Sequence, residues 1–292
     1  MLVHLNSTLV APEEATVSVF DRGFVFGDGV YEGLRVTEGV VIGLEHHIRR
    51  LAAGLEESRI DGFDASSLAR LTDELCRANG LTEAGVYWQI TRGTPPPGAP
   101  LRARLPDPNS KPTVFGYAVP IKPVAEYTLP EVRKLAVRPD TRWTRGHLKS
   151  ISLLGGILAA IEADEQGADD AVMVREGIVT EGTATNVFLA KGGRLITPEL
   201  KSAPMLDGAT RALILAQDAS IEVRPVREAE LREADEIMLV GTYTMVVAAG
   251  TLDGTPVGGS GARHPGPMAR RLLETLKAAI ARDVHSAHAP AR

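Results

Sequence analysis

Two residues stand out for the chemistry their settings allow. Lys149, in "RWTRGHLKSISLLGG", sits just ahead of a long apolar segment, and Glu181, in "GIVTEGTATNVFLA", ends an apolar run. An amine of lowered basicity serves as nucleophile and proton carrier, and a carboxylate in such a setting stabilises a cation beside it. Two glycine–threonine turns follow: "DGATR" opens a helix and Gly241–Thr242 closes an apolar strand. Backbone N–H groups at Ala209 and Gly241, with the hydroxyls of Thr210 and Thr242, form the kind of donor set that holds a phosphate. Arg50, in "HHIRRL", adds a cation.

An amine for an aldehyde, a carboxylate for a ring nitrogen and donors for a phosphate are together what pyridoxal 5'-phosphate requires. Competing chemistries lack an anchor. His46 and His47 are adjacent, without the spacing by which two histidines share a metal on one helix face, and no metal site is expected. "GDG" at 27–29 lacks the spacing of a dinucleotide loop, and the chain contains neither a Walker sequence nor a G-x-S-x-G elbow.

The bulk numbers bound the class. The chain has 292 residues, 44% of them hydrophobic and 24% charged, with a net charge of −5. That length suits one large domain or two modest ones, and the charge gives no basic footprint for nucleic acid. No apolar run reaches the roughly 18 residues of a membrane span, and the start "MLVHLNSTLVAPEEATV" does not read as a signal peptide. The single cysteine, Cys76, cannot form an internal disulfide, so a cytoplasmic protein is expected.

These residues need elements to position them. "ATVSVFD" reads as a strand, and "YEGLRVTEGVVIGL" as a hairpin turning at "TEG". Ile48, Leu51 and Leu55 give one helix its apolar face, and "ASSLARLTDELCRANG" gives another, with Ser66 as N-cap and Gly80 as stop. "GVYWQITRG" and "PTVFGYAVP" read as strands either side of a proline-rich loop. Residues 1–120 form a small α/β domain, 121–130 a linker and 131–292 a larger cofactor-binding domain. In the latter a helix from Lys149 carries Leu154, Ile157, Leu158 and Ile161 at core-facing spacing. "DAVMV", "GIVTEG", "TNVFLA" and "RLITP" follow as strands joined by turns at "REG" and "KGG". Then come the helix of "DGATRALILAQDA", the strand "IEVRPV", the helix "EAELREA" and the strand "EIMLVGT". A closing helix, "GPMARRLLETLKAAIARD", precedes a frayed tail, "VHSAHAPAR".

In order along the chain, "DRGFVFGDGVYEGLRV", "LEHHIRRL", "RWTRGHLKS", "TEGTATNVF", "DGATR" and "IMLVGT" resemble the class IV aminotransferases, the fold type IV pyridoxal-phosphate enzymes. The resemblance implies a two-domain α/β fold of the D-amino acid aminotransferase type and a homodimer. It makes Lys149 the Schiff-base lysine and Glu181 the ring-nitrogen partner. Arg50, Thr210 and Thr242 fall on phosphate-binding positions, with the amides of Ala209 and Gly241 beside two of them.

Within the family, "RWTRGHLKS" is most similar to D-amino acid transaminases. The best known of these carry an R-x-H pair after "TRGT" that traps the substrate carboxylate together with a tyrosine matching Tyr31; here Pro97 and Ala99 stand at those positions. "YEGLR" instead matches the Y-x-G-x-R of branched-chain transaminases, so Arg35 is the candidate replacement cation; the competing reading is an exposed strand residue pairing with Glu32 or Glu38. Tyr243, in "GTYTM", is expected to narrow the pocket. The resemblance implies transfer between a D-amino acid and 2-oxoglutarate or pyruvate, with side activity toward (R)-primary amines. L-branched-chain transamination is the alternative, and an aminodeoxychorismate-type lyase the third.

Overall fold

The computed structural model describes residues 1–259 and 264–289, and the chain divides into two compact units. The first comprises Met1–Pro123, Leu148–Ser152 and the chain end from Ala287; the second comprises Val124–His147 and Leu153–Ser286.

The first unit is a six-stranded antiparallel sheet under two helices. Its strands are β1 (Val3–Leu5), β2 (Thr8–Val10), β3 (Gly29–Thr37), β4 (Val40–Val41), β5 (Ala84–Thr91) and β6 (Thr113–Pro120), in the order β2-β1-β6-β5-β3-β4. Its helices are α1 (Arg22–Phe26), α2 (Leu44–Ser58) and α3 (Leu68–Ala78), the latter two covering the sheet. Strand alternation sorts β3 into two faces. Val30, Leu34 and Val36 join Leu51 and Leu55 of α2, Leu68 and Leu75 of α3, and Trp88 and Ile90 of β5 in one core. Trp88 Nε1 donates to Thr72 Oγ1 at 2.9 Å, which satisfies the indole inside that core. A Cβ at Gly116, the residue paired with Trp88, would lie 2.5 Å from the ring, so only glycine fits there.

"ATVSVFD" is not a strand; residues 15–21 are turn and irregular backbone, and Asp21 accepts from Gly23 N–H to cap α1. Asp64, rather than Ser66, opens the α3 region, accepting from Ser66 N–H at 2.9 Å ahead of a 3-10 turn at Ala65–Ser67.

The second unit is built on a nine-stranded sheet. In chain order its elements are β7 (Glu131–Pro139), α4 (Leu154–Asp164), β8 (Asp170–Arg175), β9 (Ile178–Gly182), β10 (Asn186–Lys191), β11 (Arg194–Pro198), α5 (Ala209–Gln217), β12 (Glu222–Arg224), α6 (Glu228–Arg232), β13 (Glu236–Gly241), β14 (Met245–Leu252), β15 (Thr255–Pro256) and α7 (Pro267–His288). The main path runs β12-β11-β10-β13-β14-β7-β8-β9, with β15 paired to β14. The turns at Glu176–Gly177 and Gly192–Gly193 have positive φ at both residues, the geometry that closes two-residue hairpins. α7 extends through His288, over part of the tail expected to fray; residues 290–292 of that tail lie outside the described residues.

Helix α4 begins at Leu154, five positions later than the helix expected from Lys149. Its packing also inverts the expected face. Ala159 and Ala163 are buried against Ala136, Ala171 and Met173, whereas Leu154, Ile157, Leu158 and Ile161 are 45–67% exposed. Alanines let the helix lie close to the sheet, and the large side chains turn outward. Among the described residues, no helix is long and apolar enough to cross a membrane.

Candidate active site

In the first unit, Lys149 lies on an extended segment joined to the start of β3. Tyr31 N–H donates to the Lys149 carbonyl at 2.9 Å, Ile151 N–H to the Gly29 carbonyl at 3.1 Å, and Val30 and Ser150 form an antiparallel bridge. The segment is held to Gly27 as well, where Ser152 Oγ donates to the carbonyl at 3.0 Å; Gly27 has φ +66° and a Cβ there would meet that hydroxyl at 2.6 Å. The result is a half-buried amine with Nζ 4.3 Å from the centroid of the Tyr31 ring. An ammonium over an aromatic face is attracted by the ring quadrupole, which fixes where the lysine head rests.

Tyr31, Gly33 and Arg35 alternate with the core residues of β3 and so occupy its other face. Tyr87, paired with Gly33, stacks between Tyr31 and Tyr117, with ring centroids 5.6 and 5.3 Å away. Burial, together with the two flanking phenols, pushes the Tyr87 hydroxyl up to about 12. Arg35 is not the exposed strand residue of the competing reading: it is 2% exposed, and its Nη1 donates to the Lys122 carbonyl at 3.2 Å.

Arg50 comes from α2, over the core face of β3. Its Nε and Nη2 donate to the two oxygens of Glu32 at 2.8 and 2.7 Å, and His47 Nδ1 is 2.6 Å from Glu32 Oε2. Glu32 is fully buried. Burial alone would raise its carboxyl, but the Arg50 charge and the hydrogen bonds from Arg50 and His47 outweigh it and hold the group at about 2. Burial pushes His47 down against the pull of Glu32, and because an ionised carboxylate only accepts, Nδ1 is the donor in this contact. The bidentate pair fixes the guanidinium plane of Arg50. Alternation was the missed signal: Val30, Glu32, Leu34 and Val36 share a buried face, and a carboxylate there demands a cation.

In the second unit Glu181, 5% exposed near the end of β9, accepts hydrogen bonds from Arg142, Leu206 and Asn186. Arg142 Nη1 donates to Oε1, while Leu206 N–H and Asn186 Nδ2 donate to Oε2 at 3.1 and 3.3 Å. Burial works against charge on Arg142, but Asp140 and Glu181 overcome it and keep the guanidinium above its ordinary range. Asn186 also donates to the Leu206 carbonyl at 3.0 Å, and a Cβ on Gly208 would lie 1.9 Å from its Oδ1. Asn186 pairs with Val240, which brings the end of β13 to the same end of the sheet. Neither Arg142 nor Asn186 was singled out from sequence, although both lie in the motifs quoted for Lys149 and Glu181.

Ala209 and Thr210 are the first two residues of α5, both buried, and its N-cap, Gly208, offers no side-chain cap. The first-turn amides of a helix lack intrahelical partners, so this end is suited to an anion. Gly241 ends β13 and Thr242 follows it in the turn to β14; both are half-buried, and Tyr243 is 45% exposed. An uncapped helix start with a threonine, a second glycine–threonine turn and a carboxylate held by a guanidinium fit the phosphate and ring nitrogen of pyridoxal phosphate.

The class IV amino-transferase family model matches residues 29–250. The chain is 33% identical over 285 residues to the D-alanine aminotransferase of Bacillus licheniformis, covering 96% of this chain and 97% of that one. It is 32% identical to a putative branched-chain-amino-acid aminotransferase of Methanocaldococcus jannaschii, covering 95% of this chain and 96% of the relative. Among solved structures, the branched-chain amino acid aminotransferase of Escherichia coli superposes with a TM-score of 0.83 at 25% identity, over 96% of this chain and 94% of that one. The branched-chain amino acid aminotransferase of Thermoproteus uzoniensis, solved with norvaline, superposes with a TM-score of 0.80 at 28% identity, over 95% of this chain and 93% of that one. With its lysine, its buried glutamate and its two glycine–threonine turns in the family's order, the chain belongs to the class IV aminotransferases, pyridoxal-phosphate-dependent transaminases of fold type IV.

Proposed function

We propose that this transaminase moves an amino group between a D-amino acid and a 2-oxo acid, with 2-oxoglutarate or pyruvate as acceptor and side activity toward (R)-primary amines. The observation that carries this reading is the near full-length match to the D-alanine aminotransferase of B. licheniformis. Bound pyridoxal phosphate supplies the electron sink for charge developing at the substrate carbon. Lys149 would take the proton from that carbon and deliver it to the cofactor carbon bonded to the transferred nitrogen. Glu181 holds positive charge at the ring nitrogen. The amides of Ala209 and Gly241, the hydroxyls of Thr210 and Thr242, and Arg50 receive the phosphate. Tyr31, Arg35 and Tyr243 contact the substrate. A half-reaction panel tests the reading: D-alanine, D-glutamate, L-leucine and (R)-phenylethylamine are each mixed with cofactor-loaded enzyme, and loss of its visible absorbance is followed. A D-amino acid should react fastest. Fastest reaction with L-leucine would instead establish branched-chain transamination, the reading favoured by the Tyr31-x-Gly33-x-Arg35 pattern.

With Pro97 and Ala99 in the loop, the substrate carboxylate needs a cation, and Arg35 shares a strand face with Tyr31. A charge-assisted pair in a partly desolvated pocket is worth about 1.5–3 kcal/mol, or roughly 10- to 150-fold. Arg35→Ala should lose that much kcat/KM for D-alanine and little for (R)-phenylethylamine, which has no carboxylate. Equal losses on both substrates would reduce Arg35 to a brace for the Lys122 carbonyl.

The active form proposed is a homodimer. The outward face of α4, with Leu154, Ile157, Leu158 and Ile161, is a contiguous apolar surface of the sort that marks an interface. Light scattering should give the mass of two chains, and a fully active preparation of single chains would contradict it. A cytoplasmic location is part of the reading, supported by the lone thiol of Cys76, which is buried.

A further inference from the structure

Behind Glu181 the second unit carries a chain of alternating charges that transamination as described does not use. Arg175, Asp140, Arg142 and Glu181 follow one another as cation, anion, cation, anion. Asp140, just past the end of β7, has a side chain with no exposure. Its Oδ1 accepts from Arg142 Nε at 2.9 Å and from Arg142 N–H at 3.1 Å, and its Oδ2 accepts from Arg142 Nη2 at 2.8 Å. One whole edge of the Arg142 guanidinium is thus clamped, and Nη1, at the opposite corner, bonds Glu181. Arg175 closes the turn from behind. Its Nη2 donates to Asp140 Oδ1 at 3.1 Å and to the Arg142 carbonyl at 2.6 Å, and its Nε donates to the Asp140 carbonyl at 3.2 Å.

Packing holds the same residue independently of charge. A Cβ on Gly155, in the first turn of α4, would lie 3.0 Å from Arg142 Cγ and 3.2 Å from its Cα. The stem of Arg142 is therefore fixed by α4 and its head by Asp140. A planar guanidinium gripped along one edge has little freedom left, so the direction of the Nη1–H that meets Glu181 is set by Asp140.

We infer that Asp140 is a positioning residue for transamination, aiming Arg142 so that Glu181 is held in place as a carboxylate. This rests on the proposed role of Glu181 opposite the cofactor's ring nitrogen. Without Asp140, Arg142 can shift further onto the Pro204 carbonyl, to which Nη2 already donates at 3.4 Å, and Glu181 loses its fixed partner. Groups that orient a metal ligand from behind contribute about 10- to 100-fold, and a group that orients a cofactor-facing carboxylate is expected to act on the same scale. Burial works against charge on Asp140, but its bonds to Arg142 and the charges of Arg142 and Arg175 hold its carboxyl below the usual range, consistent with a permanently ionised clamp.

A double-mutant cycle tests the inference on the holoenzyme, using Asp140→Asn, Glu181→Gln and the pair. Three quantities are read for each: kcat, KM for the amino acid, and the Kd of the apoenzyme for pyridoxal phosphate by absorbance titration. Asp140→Asn should lower kcat at least about tenfold with KM changed less than about twofold, and should weaken cofactor binding. In the Glu181→Gln background the same substitution should add less than about twofold to either loss, because its effect passes through Glu181. Additive losses would overturn the inference and leave Asp140 a brace for the turn. A harmless Glu181→Gln would overturn the proposed role of Glu181 instead, a result visible before the cycle is closed. If Asp140→Asn alone does not fold, Asp140→Asn/Arg175→Gln removes one charge of each sign and takes its place in the same cycle with the same expectations.

Discussion

Lys149→Ala should abolish transamination, with a loss of at least about 10³-fold, while the protein folds and still binds the cofactor non-covalently. The segment that carries Lys149 is held by backbone bonds to Tyr31 and Gly29 and by the Ser152 hydroxyl, none of which involves the lysine side chain. Removing the amine therefore deletes the nucleophile and proton carrier and leaves its support intact. Thermal unfolding should shift by no more than a few degrees, and gel filtration should recover protein that carries cofactor absorbance released by mild denaturant. A variant retaining a tenth of wild-type turnover would exclude Lys149 as the proton carrier.

Glu181→Gln is the second large effect, more than about 10²-fold in kcat, the scale of a well-placed electrostatic contributor. An amide cannot stabilise a charged ring nitrogen. It also cannot accept at its NH2 end, so the donors on one of the two oxygens are left facing another donor, either Arg142 or the Asn186 and Leu206 pair. Breaking one partner of a buried pair costs about 3–5 kcal/mol, so the loss of rate should come with a lowered melting temperature. A near-normal rate would make Glu181 only the structural end of β9.

The local settings of the candidate glycine–threonine turns and of Glu181 were legible in the sequence because they are written in short motifs. Gly and Thr at helix starts and strand ends are local features, and the hairpins at Glu176–Gly177 and Gly192–Gly193 need only positive φ at two neighbouring residues. What could not be read depended on distant pairing. β7 pairs in parallel with β14 and β8, so no tight turn announces it, and it begins directly after the segment read as a linker, 121–130. Lys149 looked like the start of a helix because apolar residues follow it, yet the strand-like bonds to β3 claim residues 149–151 and α4 begins later.

Apolar spacing misled on α4 for a related reason. Periodicity finds the large side chains but not which face meets the sheet, and there the alanines do. The ion pairs Glu32–Arg50 and Arg142–Glu181 join residues that are far apart along the chain, and the Asp140–Arg142 pair sits in irregular backbone that has no periodicity to read. Only Glu32, among the apolar residues on one face of β3, left a readable trace.

The most direct test is chemical. Borohydride treatment of the cofactor-loaded enzyme fixes the cofactor to the amine that holds it, and proteolysis with mass spectrometry then finds the labelled peptide. One labelled site, Lys149, is expected if this lysine is the cofactor's anchor; a label on Lys122, Lys134 or Lys191 instead would contradict it.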